Sequence, residues 1–165
     1  MGPASLLPEA TGLKAIFQCL NHARYGVACG AAGSAVACYE EAAGFSRNRI
    51  VFGKSIASYQ LVQEKLVHML VEITKAQLLN YRLGRLMDQG RASHHQISMA
   101  KLNSVREAMK IARFARDILG ARGILADHHV IRHLCDLEAV STLEGTESIQ
   151  TLILGQKITG VPAFE

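Results

Sequence analysis

Glu144 is the first residue of this sequence whose type and surroundings suggest chemistry. It stands in the run Leu143–Glu147, where a carboxylate, a flexible glycine and a threonine precede a segment of helical pattern. The unpaired N–H groups and the positive dipole end of such a helix start can bind an anionic ligand or orient a carboxylate. In the structural alternative, Thr146 only caps the helix and Glu144 is solvated beside it. The spacing alone leaves both interpretations open and favours the structural one.

Two further segments place a cation beside glycine. The run Gly120–Gly123 contains Arg122 and follows a helical pattern, so its backbone could approach a phosphate closely or form only a helix C-cap. Arg49 precedes Phe52 by three residues, and Gly53 follows directly. These residues could pair a phosphate and support a planar ring, or they could be an exposed arginine beside a core phenylalanine.

The histidines are weak candidates for metal ligands. His129 and His133 are four residues apart, but no Glu follows His129 in H-E-x-x-H order and Asp127 is the near carboxylate. We therefore expect no metal site. His94 and His95 lie in a polar segment, which we expect to be a solvated connection between helices.

The composition indicates a single domain with a substantial core. The 165 residues are 49% hydrophobic and 19% charged, with a mean hydropathy of +0.14, which excludes a disordered tail. Three prolines and no tryptophan fit long, uninterrupted helices. The net charge is +4, but 18 Lys and Arg are interleaved with 14 Asp and Glu, so we expect no nucleic-acid partner.

Cysteine spacing and the length of the apolar runs bear on the compartment. The cysteines lack C-x-x-C spacing and are typical of reduced thiols; they are Cys19, Cys29, Cys38 and Cys135. No apolar run is as long as a membrane span, and Met1–Pro3 lacks a signal-peptide pattern, so we expect a soluble chain without a membrane partner. The expected location is the cytoplasm in a bacterium or the mitochondrial matrix in a eukaryote.

Helical periodicity in the sequence predicts the elements that position these residues. An Ala-rich segment predicts a first helix over 15–43, which ends at Gly44 and leads into a polar connection at 46–49. Three glycines interrupt this helix, and we expect them to mark close backbone packing against a neighbouring helix. They are Gly26, Gly30 and Gly33.

The strongest pattern is an alternation of three and four residues between apolar positions over 59–87, broken only by Asn80. It predicts a long second helix whose seam is core or partner-facing surface. The sequence turns after Gly90, and a third helix is expected with one apolar face over 102–119 and its end at Gly120. A fourth helix is expected over 129–139, and a fifth from just after Gly145 to about Thr159. The predicted fold is all-α, an up-and-down four-helix bundle with a short extra C-terminal helix.

Four motifs occur in one order along this chain. They are L-N-H-A-R-Y-G-V-A at 20–28, R-x-x-F-G at 49–53 with Gln60 seven residues later, D-I-L-G-A-R-G-I at 117–124 and L-E-G-T-E-S-I-Q at 143–150. Together they resemble the C-terminal helical domain of the acyl-CoA dehydrogenases, from about Leu7 onward. Within that family the likeness is greatest to the glutaryl-CoA dehydrogenase branch, through V-I-R-H-L-C-D-L-E-A-V and L-I-L-G-Q-K-I-T-G.

The resemblance implies a reaction. Glu144 would be the catalytic base that removes the α-proton of an acyl-CoA thioester, while FAD accepts a hydride from the β-carbon. Glutaryl-CoA would lose carbon dioxide and give crotonyl-CoA. Relatives that carry their base on the first helix have a Glu where this chain has Ala23, so Glu144 has no competitor. The resemblance also implies electron-transfer flavoprotein as a partner and a homo-oligomer, a tetramer in the family.

The resemblance further assigns binding residues. For FAD these are Arg49, Phe52, Gln60, Asp117, Ile118, Leu119, Gly120, Ala121 and Thr146, with the 117–121 segment contacting the cofactor from another protomer and Thr146 beside the base. For the acyl-CoA they are Phe17, Gln18, Cys19, Leu20, Asn21, His22, Ala23, Arg24, Gly145 and Phe164. Arg24 would lie near the catalytic Glu144.

The chain also departs from the family pattern. Leu143 replaces the usual aromatic residue before E-G-T, and G-A-R-G at 120–123 replaces G-G-N-G. Family members carry a helical and a β domain before this one. We therefore expect residues 1–14 to be the end of a preceding domain or an expression scar, and 15–165 to be a helical bundle domain that is inactive when isolated. The alternatives are a non-catalytic helical assembly module, an acyl-CoA oxidase or another acyl-CoA dehydrogenase subtype.

Overall fold

The computed structural model describes residues 12–163, and this part of the chain folds into five α-helices and one small hairpin. The helices are α1 (Gly12–Asn48), α2 (Gln60–Asp88), α3 (His94–Leu119), α4 (His129–Thr142) and α5 (Glu147–Thr159). The antiparallel strands are β1 (Ile50–Val51) and β2 (Lys54–Ser55), and 3-10 turns cover Ile56–Ser58 and Gly120–Ile124. The predicted all-α class is confirmed. Phe164 and most of the predicted segment 1–14 lie outside the described residues.

Helix α3 is the centre of the bundle and contacts the other four helices. Its most extensive contact is with α1, which presents a face of small buried residues. These residues are Ala28, Ala31, Ala35, Cys38 and Ala42. Short side chains let two helix backbones approach closely, so the Ala-rich composition of α1 serves its packing against α3.

The prediction for the three glycines of α1 is wrong. Gly26, Gly30 and Gly33 are exposed, and a Cβ atom added at any of them would meet nothing within 4 Å. Close packing in this stretch comes from the alanines on the opposite face. The glycines therefore do not mark a helix contact within residues 12–163.

The predicted end of α1 is also wrong, because the helix continues through Gly44 to Asn48. A glycine inside a helix costs only about 1 kcal/mol relative to alanine. The neighbouring Ala42, Ala43 and Ser46 are buried, and the Ser46 hydroxyl donates to the Ala43 carbonyl at 2.9 Å. Burial of this last turn outweighs the glycine, so most of the predicted polar connection is helical.

The hairpin that follows α1 was not predicted. Its turn consists of Phe52 and Gly53, both with positive φ angles of 49° and 77°, as two-residue hairpin turns require. Phe52 is 94% exposed at the tip. The alternative of a core phenylalanine is therefore wrong.

The seam of α2 is confirmed as core. Its buried residues are Met69, Ile73, Ala76, Asn80 and Leu83, all of them positions in the predicted alternation. The one polar member, Asn80, donates to the Ala28 carbonyl at 3.1 Å and to the Ser104 hydroxyl at 3.3 Å. A buried amide with partners on two helices satisfies its hydrogen bonds and ties α1, α2 and α3 together.

Helices α3 and α4 begin or end differently from the prediction, whereas α5 ends at the predicted Thr159. Ser93 and Gln96 form a capping box, so His94 and His95 are the first residues of α3 and not a connection. Helix α4 extends to Thr142, three residues beyond the predicted end. None of the described helices is both long enough and apolar enough to cross a membrane.

Candidate active site

The turn between α4 and α5 is held by side chains from three other positions in the bundle. Arg24 of α1 donates from Nε to the Glu144 carbonyl at 2.8 Å. Lys101 of α3 donates from Nζ to the Leu143 carbonyl at 2.6 Å and also to the Gly145 carbonyl. Gln150 of α5 donates from Nε2 to the carbonyls of Glu144 at 3.2 Å and Gly145 at 3.1 Å. Three consecutive carbonyls of this turn therefore accept side-chain hydrogen bonds.

Glu144 is in an uncommon backbone conformation at the centre of this turn. Its φ angle is +58°, a left-handed value that is rare for a residue other than glycine, asparagine or aspartate. The residue is half-buried, and its Oε2 atom is buried without a hydrogen-bond partner among the described residues. The suggestion that Glu144 is merely solvated is wrong. A carboxylate oxygen with no partner keeps its capacity to accept a proton from a ligand.

Thr146 is the N-cap of α5, and its hydroxyl accepts from the Ile149 N–H at 3.4 Å. The structural interpretation of this threonine is thus confirmed. The preceding Gly145 has a φ angle of +94°, and a Cβ atom there would lie 2.7 Å from Nε2 of Gln150. The turn needs glycine at this position for both its conformation and its space.

Two buried cations lie beside Glu144. Arg24 is 8% exposed and Lys101 only 2% exposed, and neither forms a salt bridge with a carboxylate in the described part of the chain. Burial lowers the pKa of Arg24, and the charge of Glu144 opposes that change. Burial, and then the charge of Arg24, lower the pKa of Lys101, while Glu144 again acts in the opposite direction. The charge of Glu144 thus acts on the pKa of both Arg24 and Lys101.

An apolar cavity of about 450 Å³ adjoins this turn through Arg24. Its lining combines residues of α1, α3 and α5, namely Phe17, Asn21, Arg24, His94, Ile149 and Ile153. Three of the predicted acyl-CoA residues, Phe17, Asn21 and Arg24, therefore share one cavity. An apolar wall with a small number of polar side chains, here Asn21, Arg24 and His94, is typical of a small-molecule site.

The other predicted acyl-CoA residues are distributed around α1. Gln18 and His22 line a second cavity of about 440 Å³, next to Met87 and Ile97. The other three on α1, Cys19, Leu20 and Ala23, line neither cavity, and neither does Gly145 of the turn. Successive residues of a helix point in different directions, so a continuous run of eight cannot face one cavity.

A third cavity of about 500 Å³ lies where the end of α1 and the hairpin meet the end of α3. It brings together five of the residues predicted to bind FAD: Arg49, Ile118, Leu119, Gly120 and Ala121. Arg122, Phe45, Val51 and Ile56 complete its lining. Two guanidinium groups beside apolar walls fit a ligand that joins a pyrophosphate to flat rings, so the donor set suits a flavin dinucleotide.

Four predicted FAD residues do not line this cavity. Phe52 is at the exposed hairpin tip, and Gln60 is the exposed first residue of α2. Asp117 pairs with Lys65 instead, and Thr146 belongs to the turn beside Glu144. Gly120 is the C-cap of α3 with a φ angle of +60°, so the helix-cap interpretation of G-A-R-G is confirmed at this residue.

The histidines of α4 are not gathered into a metal-binding cluster. His128 pairs through Nδ1 with Oε1 of Glu41 at 2.6 Å, and His129 is exposed. Across residues 12–163, no group of three His, Cys, Asp or Glu side chains is arranged to hold a metal ion.

Known proteins resemble this chain in sequence and in structure. Residues 10–159 match the family model described as acyl-CoA dehydrogenase, C-terminal domain. The chain belongs to the acyl-CoA dehydrogenase family. Within the family, it is 33% identical over 151 residues to a glutaryl-CoA dehydrogenase of Desulfococcus multivorans, covering 91% of this chain and 39% of that relative.

Solved structures of the family agree with the fold of this dehydrogenase domain. A glutaryl-CoA dehydrogenase from Mycobacterium smegmatis superposes with a TM-score of 0.94 at 48% identity, covering 96% of this chain and 41% of that one. A glutaryl-CoA dehydrogenase from the same organism in complex with FADH2 gives 0.93 at 44% identity, with the same coverage. The chain thus spans about two fifths of the length of these relatives.

Sequence reasoning missed two residues of the site, Lys101 and Gln150. Each is a polar side chain on the buried face of its helix, and that position is the signal which could have found them. The partners of Lys101 in the 143–145 turn are not apparent from the sequence, because Lys101 lies more than forty residues away from that turn.

Proposed function

We propose that this domain carries the catalytic base of a FAD-dependent acyl-CoA dehydrogenase that acts on glutaryl-CoA. The reaction would be α,β-dehydrogenation followed by decarboxylation to crotonyl-CoA. The observation that carries the proposal is the Glu144 carboxylate, with a buried, unpartnered oxygen on a turn fixed by Arg24, Lys101 and Gln150. The names of the similar dehydrogenases support the choice of substrate.

Glu144 removes the α-proton of the thioester in this proposal. A general base must reach the proton it takes and must not be occupied by another donor, and the free Oε2 atom meets the second condition. The Glu144 N–H would donate to the thioester carbonyl and stabilise the developing enolate oxygen. The fixed turn keeps both groups in place before the substrate arrives.

The acyl chain would enter the apolar cavity next to the turn. Phe17, Asn21 and Arg24 line it from α1, and Ile149 and Ile153 line it from α5. Burial of a short acyl chain against these side chains excludes water from the site of proton transfer. The contacts predicted for the other acyl-CoA residues, including Gly145, remain part of the proposal.

FAD would lie beside Glu144 of one protomer and be held by the cavity at the end of α3 of another protomer. Arg49 supplies the cation for the pyrophosphate, and the 118–121 segment supplies backbone and apolar contacts. Bound FAD provides the acceptor for the hydride that leaves the β-carbon. Phe52, Gln60, Asp117 and Thr146 would contact the cofactor from outside the cavity. Electron-transfer flavoprotein as electron acceptor, a homo-oligomeric assembly, and a cytoplasmic or mitochondrial-matrix location complete the proposal.

The substitution Glu144→Gln in the FAD-bound protein that contains this chain tests the proposal. The amide keeps the size of the side chain but cannot take a proton, so turnover of glutaryl-CoA should fall by about 10²- to 10⁴-fold. The visible absorbance of bound FAD should be unchanged. Glu147→Gln is the matched control, because Glu147 is exposed and pairs with exposed Arg106 in the described part of the chain, and its turnover should stay within about twofold. Near-normal turnover in Glu144→Gln would exclude the base assignment.

A further inference from the structure

Lys101 is the most deeply buried charged side chain among the described residues. It lies on the inner face of α3, one turn after Ile97 and one turn before Val105, both of which are buried. Removing an ammonium group from water is unfavourable unless hydrogen bonds or an opposite charge compensate it. The packing of α3 would be served as well by an apolar side chain, so the lysine calls for another explanation.

The hydrogen bonds of Lys101 go to the catalytic turn. Its Nζ atom donates to the carbonyls of Leu143 and Gly145, the residues on either side of Glu144. It forms no salt bridge in the described chain, and the Glu144 charge is the one that favours its protonated form. Arg24 and Gln150 both bind the Glu144 carbonyl, but Lys101 alone bridges the two flanking residues.

This bridge bears on the conformation of Glu144. A left-handed φ angle at a glutamate is strained and persists only where the surroundings enforce it. Two hydrogen bonds from one ammonium group hold the Leu143 carbonyl, in the peptide unit that precedes Glu144, and the Gly145 carbonyl, in the second peptide unit after it. Lys101 extends from α3, the helix that contacts every other helix of the bundle, so the fixing group is itself rigidly placed.

We propose that Lys101 is a positioning residue for proton abstraction by Glu144. Its ammonium group clamps the turn so that the Glu144 carboxylate and N–H face the thioester. The inference rests on the proposed function, since it assigns Lys101 a role only if Glu144 is the base.

The test is the substitution Lys101→Met in the FAD-bound protein that contains this chain. Methionine fills similar space but cannot donate to either carbonyl. The assay follows α-hydrogen exchange with D₂O by mass spectrometry, in a glutaryl-CoA analogue with sulfur in place of the β-carbon. This analogue has no β-hydrogen, so the measurement reports proton transfer without hydride transfer.

We expect the exchange rate at saturating analogue to fall about 100-fold in Lys101→Met, the scale that a misplaced catalytic group produces. FAD absorbance and the dissociation constant of the analogue should change little. Lys110→Met is the matched control, because Lys110 is exposed on the same helix and, among residues 12–163, pairs with Glu107 at 3.5 Å. Its exchange rate should stay within about twofold of the unsubstituted protein.

An exchange rate in Lys101→Met within about threefold of the unsubstituted protein overturns the inference. So does a loss that matches the fraction of protein unfolded or free of FAD, since a purely structural lysine would act that way. If Lys101→Met does not fold, Lys101→Arg and Lys101→Gln take its place. The charged arginine should then retain more exchange than the glutamine, and equal rates overturn the inference.

The variant Glu144→Gln in the same assay separates this inference from the proposed function. Exchange that persists in Glu144→Gln removes the base assignment, and the inference falls with it. Exchange lost in Glu144→Gln but normal in Lys101→Met leaves the base in place and removes only the role of Lys101.

Discussion

At the scale of single residues, Gly145 is the position where the site tolerates least change. Its φ angle of +94° is costly for any residue with a Cβ atom. An added Cβ would also lie 2.7 Å from Nε2 of Gln150 and 3.3 Å from Nη2 of Arg24, two groups that hold the Glu144 carbonyl. One methyl group would therefore strain the backbone and displace two hydrogen-bond donors together.

We predict that Gly145→Ala lowers the free energy of unfolding by about 1–3 kcal/mol, the usual range for a non-glycine residue in a sparsely populated conformation. Urea denaturation followed by circular dichroism measures the change. Gly155→Ala is the control, because Gly155 is helical and an added Cβ meets nothing within 4 Å. That substitution should be neutral or stabilising by up to about 1 kcal/mol. Equal effects of the two substitutions would contradict the prediction.

At the scale of elements, α2 and α3 are tied at their surface by Lys65 and Asp117. The hydrogen bond from Lys65 lowers the pKa of Asp117, with a smaller contribution from the Arg116 charge, against the opposing effect of burial. A carboxyl group whose pKa is lower in the folded state stabilises the fold above its unfolded value of about 3.9. That stabilisation is lost as the pH falls through the lower, folded value.

We predict that Asp117→Asn reduces stability at pH 7 by less than about 1 kcal/mol, because Asp117 is 47% exposed and solvent screens the pair. The difference from the unsubstituted protein should shrink as the pH falls from about 4 to 2. Urea titrations at several pH values measure it. In a Lys65→Gln background, Asp117→Asn should have a smaller effect at pH 7, and an undiminished one would show that Lys65 is not the cause.

The elements also show which features the sequence could predict. The seam of α2 was predictable because its alternation extends over eight turns, and one polar residue, Asn80, does not disturb it. The end of α1 was not, because the signal of Gly44 is worth about 1 kcal/mol and burial of Ser46 and its neighbours outweighs it. The hairpin turn depends on Phe52 adopting a positive φ angle, which its residue type does not indicate.

The residues of the candidate site also differ in whether the sequence could predict them. Glu144 and Thr146 were found from a local motif, and the structure places Thr146 as the N-cap that the residue type predicts. Lys101 was not found, because its partners are two residues of a distant turn, and one sequence does not reveal that contact. A local motif of reactive residues can be recognised in a sequence, whereas the long-range hydrogen bonds of a single side chain can be recognised only in the folded structure.

At the scale of the whole molecule, the site depends on the bundle as a unit. Arg24, Lys101 and Gln150 come from α1, α3 and α5, and they meet at a turn that none of these helices contains. The geometry at Glu144 is therefore set by the packing of α1 and α5 against α3. Any change that shifts one helix against another should affect the turn as well.

The outer face of α2 bears on how the whole molecule associates. This helix buries its seam in the bundle, yet it also exposes large apolar side chains on its outer side: Leu61, Val67, Leu70, Val71, Leu78 and Tyr81. A helix that is apolar on both sides is typical of one buried on both sides. A continuous exposed apolar surface marks a protein interface, and the proposed homo-oligomer would supply a second copy to cover it.

We predict that the double substitution Leu70→Glu and Leu78→Glu lowers the molar mass of the protein measured by size-exclusion chromatography with light scattering at micromolar concentration. Two charges in a desolvated apolar interface oppose association strongly, while on a free surface they cost little. Cys135→Glu with Ala139→Glu is the control, because both residues are exposed on another helix, α4, and receive the same added charge. A molar mass that is the same for all three proteins would exclude this face as a self-association surface.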